Sequence, residues 1–514
     1  MKTTSMEYLS HQLMSAQNGQ SIAHQERSAL PEKVLQFGTG VLLRGLPDFL
    51  IEAANRQGIF QGRIVVVKST SSGDTAAFDQ QDNLYTVCVR GIQNGDRVEQ
   101  NLVCSAISRV LTASTQWDEV LACAQNPELS VVISNTTEVG IKLVKEDIHQ
   151  SPPSSFPAKL LAFLYERYRA FAGDPEKGLI IAPTELIPDN GDKLERILLE
   201  LAHLNNLEAE FIDWMEQHNH CCNTLVDRIV PGAPAPAAKA NIEAKLGYQD
   251  DLLIMSEVYA LWAIEGDEAV KAKFPLHLAH EGVIIAPDIN PYRELKLRIL
   301  NGGHTFSCGL AYLCGLNTVV EGMKQEMFVH FLEHLLLAEI AQTIPAPLTL
   351  AEARDFAKKV LDRFRNPFIE HKWLSITMQY SSKMQMRNVP TLLRYYDRIG
   401  TVPEHMALGF AAYLLFMRAT KTEDGRFYGR RDTEDYLIQD DQAAYFYTMW
   451  QNFAPRALVS AVLKNEDLWG CDLSQLPGFE EKVAFQLESM QDQGVYRTLV
   501  VGQKQMFIFT EPQD

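Results

Sequence analysis

Short apolar runs and amphipathic stretches alternate through the first half of the chain. Residues 33–37 (KVLQF), 63–67 (RIVVV), 130–134 (SVVIS) and 178–182 (GLIIA) are apolar, largely β-branched and bounded by polar residues, the pattern of strands buried on both faces. Between them, 46–57, 117–124, 158–171 and 192–204 carry the helical period. Residues 84–90 and 101–107 read as further strands, paired as a hairpin across Asn94-Gly95. This βαβ rhythm predicts a mostly parallel sheet covered by helices. The proline- and alanine-rich run 232–238 (GAPAPAA) reads as a loop or linker, and strand-like segments return at 252–258 and 283–286.

After about residue 290 the texture changes to long helical patterns, at 304–314, 323–344, 350–365, 403–417, 433–453 and 478–491. The expected layout is a polar N-terminal arm over 1–30, an α/β, Rossmann-like dinucleotide-binding domain with a mostly parallel sheet over 31–288, and a mainly α-helical substrate and catalytic domain over 289–514.

Composition narrows the class. Of 514 residues, 46% are hydrophobic and 22% charged, as in soluble globular proteins. The net charge of -18 argues against nucleic acid or an anionic membrane as partner, since both require basic surface. An anionic substrate would need a local cluster of lysine and arginine. Eight cysteines lie scattered without a CxxC pair, so reduced thiols and a cytoplasmic location are expected. The N-terminus lacks the apolar core of a signal peptide, and no apolar run reaches membrane-spanning length. A monomer or small homo-oligomer is expected.

Chemistry concentrates in six places. Phe37-Gly38-Thr39-Gly40-Val41-Leu42-Leu43 follows the first strand and precedes a helix. There Gly38 permits a tight turn, Gly40 admits a pyrophosphate, and Thr39, Val41 and Leu42 complete a helix N-terminus with free N–H groups. The third glycine of the usual fingerprint falls on Leu43. The next strand ends in Val67-Lys68-Ser69-Thr70-Ser71-Ser72-Gly73-Asp74 rather than directly in an acid; Lys68 suits a 2′-phosphate, or is a solvated strand end. Ser134-Asn135-Thr136-Thr137-Glu138 lies at a strand's carboxyl end, where Asn135 and Thr136 bind a nicotinamide or ribose, or cap a helix.

Lys296-Leu297-Arg298-Ile299-Leu300-Asn301-Gly302-Gly303-His304 follows Asn290-Pro291, a helix start. On an α-helix at about 100° per residue, Asn301 lies about 140° from Lys296 and His304 about 80°. Amine, amide and imidazole then share one broad sector and can polarise a carbonyl and protonate it. Gly302 and Gly303 would let a ligand approach the backbone. Asp227-Arg228 lies in an apolar stretch as a structural pair, or with Asp227 holding the lysine. Arg363, Arg365 and Lys372 close a helix, either complementing its dipole or binding a substrate carboxylate. His218-Asn219-His220-Cys221-Cys222 matches no zinc pattern, and no metal is expected.

Taken together, FGTGVLLRG (37–45), SNTTEVGI (134–141), NTLVDRIVPG (223–232), KLRILNGGH (296–304) and RFRNPFI (363–369) resemble the mannitol dehydrogenase family, the long-chain polyol-specific dehydrogenases. They occur in the family's order across most of the chain, and K-x4-N-x2-H is its specific signature. PTELIPDNG (183–191) and LNGGHT (300–305) look most like the members acting on a keto sugar acid. The resemblance implies reversible, NAD-dependent, zinc-independent reduction of a small anionic sugar acid, while Lys68 and the hydroxyls beside it leave NADP as the alternative coenzyme. It makes Lys296 the general acid/base, Asn301 an oxyanion-stabilising amide, His304 a substrate-orienting imidazole and Asp227 the aspartate beside the lysine. Asn190-Gly191 is kept from an element in which mannitol-type members carry a second catalytic asparagine, which puts Asn190 among the expected substrate residues, but that asparagine's place is taken by Leu186. A proton-relaying glutamate of some members falls near Arg293, with Glu294 adjacent. The alternatives are a member acting on another keto acid or on a neutral polyol, and a non-catalytic dinucleotide-binding protein of the same fold.

Overall fold

The computed structural model describes residues 6–17, 26–70, 75–136 and 139–510, and the chain divides into two compact units, 1–90 with 98–289 and 91–97 with 290–514. The arm expected over 1–30 lies partly outside the described residues, as do Ser71, Ser72, Gly73, Asp74, Thr137 and Glu138.

The first unit is built on a six-stranded parallel sheet: β1 (Glu32–Phe37), β2 (Arg63–Lys68), β3 (Ile107–Thr112), β4 (Val131–Ser134), β5 (Ile180–Pro183) and β6 (His220–Cys221), in the order β3-β2-β1-β4-β5-β6. Successive side chains of a strand point to opposite faces. Val34, Ile64, Val66, Val131, Ile133 and Ile180 therefore enter one core, while Leu35, Phe37, Val65, Val67, Val132 and Ile181 enter another. Both faces are thus buried, which is why these strands read as continuous apolar runs. The strand order reverses between β1 and β4, the switch point where open α/β sheets hold ligands beyond the carboxyl ends of their strands. Tyr85–Gln93 and Asp96–Cys104 pair as the expected hairpin, with Asn94 and Gly95 both at positive φ.

Two expectations change here. The GAPAPAA run leads directly into a helix, Pro236–Leu246, because Pro236 occupies its first turn and alanines follow. Residues 433–453 are not one helix: Lys421–Glu423, Arg426–Arg431 and Glu434–Leu437 form an antiparallel sheet, and the helix is Ala443–Asn452.

The second unit is otherwise helical. Glu404–Phe416 is buried on nearly every side and forms its centre. Against it packs Gly303–Leu313, so closely that a Cβ on Gly409 would stand 2.5 Å from the Phe306 carbonyl oxygen. That helix carries His304, and its rigid seat fixes the imidazole.

Candidate active site

The glycine turn sits at the switch point. Gly38 has φ +128°, which L side chains rarely adopt, and a Cβ there would lie 2.8 Å from Leu43 Cδ1 and 3.1 Å from the Asn135 carbonyl oxygen. Leu43, at the third-glycine position, is fully buried and fills the space behind the turn. Nothing stands within 4 Å of where a Cβ on Gly40 would be, so its backbone is open to a ligand. Gly40 precedes the short helix Val41–Gly45, with Thr39, Val41 and Leu42 half-buried around it. On the neighbouring strand's end, the Asn135 amide donates to the Thr184 carbonyl at 3.1 Å and hydroxyl at 3.0 Å. The Thr136 N–H and hydroxyl both donate to Glu185, at 2.8 and 3.0 Å. Glu185 is a residue the sequence did not single out. It also accepts from Ser134, and burial pushes its carboxyl up despite these bonds. The side chain of Lys68 turns back on its own strand end, its ammonium donating to the Thr70 carbonyl at 2.9 Å.

Asn190 is placed otherwise than its assignment to substrate requires. It is fully buried; its amide donates to the Pro183 and Glu185 carbonyls and accepts from the Thr224 N–H, so it ties β5 to the strand Thr224–Asp227. Asp227 ends that strand, half-buried. Arg228 lies buried with its guanidinium on the Gly45 and Glu257 carbonyls and over the Phe49 ring, a structural role of its own. Among the described residues no group of His, Cys, Asp and Glu could hold a metal ion.

Lys296–Gly302 departs from the expected α-helix. It is a π-helical turn set between the α-helices Asn290–Leu295 and Gly303–Leu313. Its i→i+5 repeat puts Asn301 about one turn above Lys296, on the same face rather than about 140° away. Both residues are half-buried. Gly302 and Gly303 serve packing rather than ligand approach: a Cβ on Gly303 would meet Leu336 Cδ2 at 2.5 Å, and one on Gly302 would meet Asn388 Oδ1 at 3.0 Å. Arg298 anchors the turn to a second π-turn, Met384–Asn388, donating to the Met386 and Arg387 carbonyls at 2.8 Å each. Glu294 is clamped by Arg298 and Arg394; burial works to raise its carboxyl, but these arginines outweigh it and hold the group below the usual range. That makes Glu294 a poor proton relay. Arg293 donates to the Asn290 side chain.

His304 is buried, stacked on Phe364 at 4.2 Å between centroids and flanked by His371 at 5.1 Å and Trp373 at 5.8 Å. Burial drives its pKa well below 6.5, and His371, Arg363 and Arg387 push it the same way, so the ring is neutral at working pH. Its Nδ1 has no protein partner. Of the three cations assigned to a carboxylate, Arg365 is paired with Glu333 and Asp362, and the exposed Lys372 with Glu370. Arg363 is the one whose charge reaches His304.

A stability prediction arises from this ring. His304 stays neutral in the fold while the unfolded chain takes up a proton below about pH 6.5. Its contribution is complete above that pH and is lost as pH falls. Thermal denaturation between pH 7.5 and 5.5 should therefore show a smaller fall in Tm for His304→Gln than for the unaltered protein. Equal falls would place the ring in contact with water.

The Mannitol dehydrogenase Rossmann domain family matches residues 32–278, and the Mannitol dehydrogenase C-terminal domain family matches residues 288–491. Altronate oxidoreductase of Halalkalibacterium halodurans is 38% identical over 505 residues, covering 96% of this chain and 97% of its own. That of Bacillus subtilis is 37% identical over 474 residues, covering 91% and 95%. Among solved structures, a D-sorbitol dehydrogenase in substrate-free form superposes with TM-score 0.70 at 21% identity, over 92% of this chain and 96% of its own. Pseudomonas fluorescens mannitol 2-dehydrogenase, in a ternary complex with NAD and D-mannitol, superposes with TM-score 0.58 at 24% identity, over 94% and 96%. These two likenesses concern the fold.

Proposed function

The chain belongs to the mannitol dehydrogenase family, oxidoreductases of CH–OH groups, and we propose that within it the chain is an NAD-dependent altronate oxidoreductase (tagaturonate reductase), interconverting D-tagaturonate and D-altronate. What supports this most is the π-turn that brings Lys296 and Asn301 onto one face just ahead of the buried, neutral His304. The named relatives, similar along nearly the whole chain, point to altronate, and D-tagaturonate is the keto acid that the family resemblance pairs with it.

The dinucleotide, when bound, supplies the hydride for reduction and accepts it for oxidation. The open backbone at Gly40 and the polar groups of Asn135 and Thr136 flank the switch point and suit its phosphates and nicotinamide end. NAD is the coenzyme the family resemblance implies; Lys68 gives one of its ammonium donors to the Thr70 carbonyl.

In reduction the Lys296 ammonium gives a proton to the ketone oxygen; in oxidation the neutral amine takes it from the hydroxyl. The Asn301 amide donates to the same oxygen where negative charge gathers, and His304, free of a competing proton, orients the adjacent hydroxyl through Nδ1. A preformed donor set of this kind needs no reorganisation during reaction.

The test is a substrate panel: D-tagaturonate, D-fructuronate, D-tagatose and D-fructose, each with NADH and with NADPH, followed by coenzyme oxidation. D-Tagaturonate with NADH is expected to give the highest kcat/KM. Preference for D-fructuronate would move the chain to another keto acid, and preference for a neutral ketose to the polyol dehydrogenases. No turnover together with intact NADH binding would support a non-catalytic protein.

A further inference from the structure

Around His304 the second unit gathers the cations Arg387 and Lys383 beside a second imidazole, His371, whose pKa burial also lowers; the acid whose charge reaches Lys383, Asp440, accepts from the Ser381 and Gln442 N–H groups. His371 stands 5.1 Å from the His304 ring, and Arg387 Nη1 lies 3.2 Å from the hydroxyl of Thr305, the next residue. Lys383 lies one turn before Arg387 and donates to the Ile376 carbonyl at 3.0 Å. No aspartate or glutamate among the described residues forms an ion pair with Arg387, Lys383 or His371. Arg387 is half-buried, yet among the described residues only one of its five N–H donors has an acceptor, a neutral hydroxyl. Elsewhere in this chain such arginines find acceptors, either carboxylates (Arg109 on Glu32, Arg298 and Arg394 on Glu294, Arg365 on Glu333) or main-chain carbonyls (Arg167, Arg228).

Unpaired acceptors and donors line the same place. His304 Nδ1, Trp373 Nε1 and Asn388 Oδ1 are buried with no hydrogen-bond partner, although almost all buried polar atoms have one. A half-buried guanidinium with most of its donors unmet is costly, and an anion supplies acceptors and counter-charge together. Protein carboxylates abound at a net charge of -18, so their exclusion from this cluster reserves it for an anion from outside.

We propose that Arg387, supported by Lys383 and His371, receives the substrate's carboxylate and so makes this chain select a sugar acid over the neutral sugar of the same configuration. This rests on the altronate reading above, and it replaces Arg365 and Lys372, which are paired, as the carboxylate's anchor. A guanidinium binds a carboxylate through two parallel N–H donors, and Arg387 has them to give. Its bond to Thr305, whose hydroxyl in turn donates to the Asn301 carbonyl at 2.8 Å, fixes the distance from the carboxylate end to the residues that hold the reacting oxygen.

The experiment compares D-tagaturonate with D-tagatose, its neutral counterpart, in the unaltered enzyme, Arg387→Gln and Arg387→Lys. Arg387→Gln should lower kcat/KM for tagaturonate about 100-fold, mainly through KM, and leave tagatose within about threefold. Arg387→Lys, which keeps a charge but loses the fork, should show about a tenfold loss for the acid alone and carries the test if the glutamine variant does not fold. NADH affinity should match the unaltered enzyme, and Tm should not fall. A variant that keeps the full preference for the acid overturns the assignment of Arg387 while leaving the altronate reading intact. An unaltered enzyme with no preference for the acid overturns both.

Discussion

Replacing Lys296 with alanine is expected to lower kcat for D-tagaturonate reduction about 10³- to 10⁴-fold while NADH binds as before. The size follows from removing the proton donor, which by itself accounts for factors of about 10² to 10⁴, together with a positive charge beside the developing oxyanion. The fold should survive, because Lys296 is half-buried at the start of a turn whose anchoring is done by Arg298. Lys296→Arg separates the two contributions. Arginine keeps the charge but does not shed a proton near neutral pH, so it should remain nearly as inactive as alanine. Added primary amines should restore part of the alanine variant's rate and none of the arginine variant's. Single-turnover oxidation of bound NADH measures the step directly, and an alanine variant holding more than about a tenth of the rate would remove Lys296 from the proton transfer.

The sheet was legible because its strands are buried on both faces. Val34 to Phe37 and Ile64 to Val67 send alternate side chains into two different cores, so the code is a plain apolar run that needs no partner to be recognised. The small antiparallel sheet at 421–437 was not legible for the opposite reason. Its strands are mostly exposed and charged, and only Tyr436 and Gly429 are buried. Its local signal is Asp424-Gly425, both residues at positive φ as in a two-residue hairpin turn, between two segments read as helices.

The candidate site divides along a similar line. Residues contiguous in sequence, the glycine turn and the Lys296 to His304 run, could be read as units. Groups assembled by packing could not. Arg387 and Lys383 lie about eighty residues beyond His304 and come beside it only through the joining of two π-turns by Arg298, for which no periodicity gives notice. Arg365 and Arg363 look equivalent in the motif RFRNPF, yet one is paired with Glu333 and the other acts on His304. Partners thirty residues away decide that difference. The glycines at 302 and 303 misled because absence of a side chain marks close approach without saying what approaches; here it is Leu336 and Asn388.

The π-turn itself leads to the second large effect. Asn301→Asp is expected to reduce kcat about 10²- to 10³-fold, the cost of losing one preorganised donor at an oxyanion. Aspartate keeps the shape of the amide and removes its donor, and at neutral pH sets a negative charge beside the forming one. The loss should fall on kcat and leave KM for NADH unchanged, because the donor acts on charge that exists only in the transition state. Stability should hardly move: the bond from the Thr305 hydroxyl goes to the Asn301 backbone carbonyl, which the substitution keeps. On a regular α-helix Asn301 would lie about 140° from Lys296, at the far edge of the shared sector, and two groups acting on separate atoms would show losses that multiply in the double variant Lys296→Ala/Asn301→Ala. With the i→i+5 repeat setting them one above the other, they act on the same atom, and the double variant should be little worse than Lys296→Ala alone. Full multiplication of the two losses would show that the amide serves a different step.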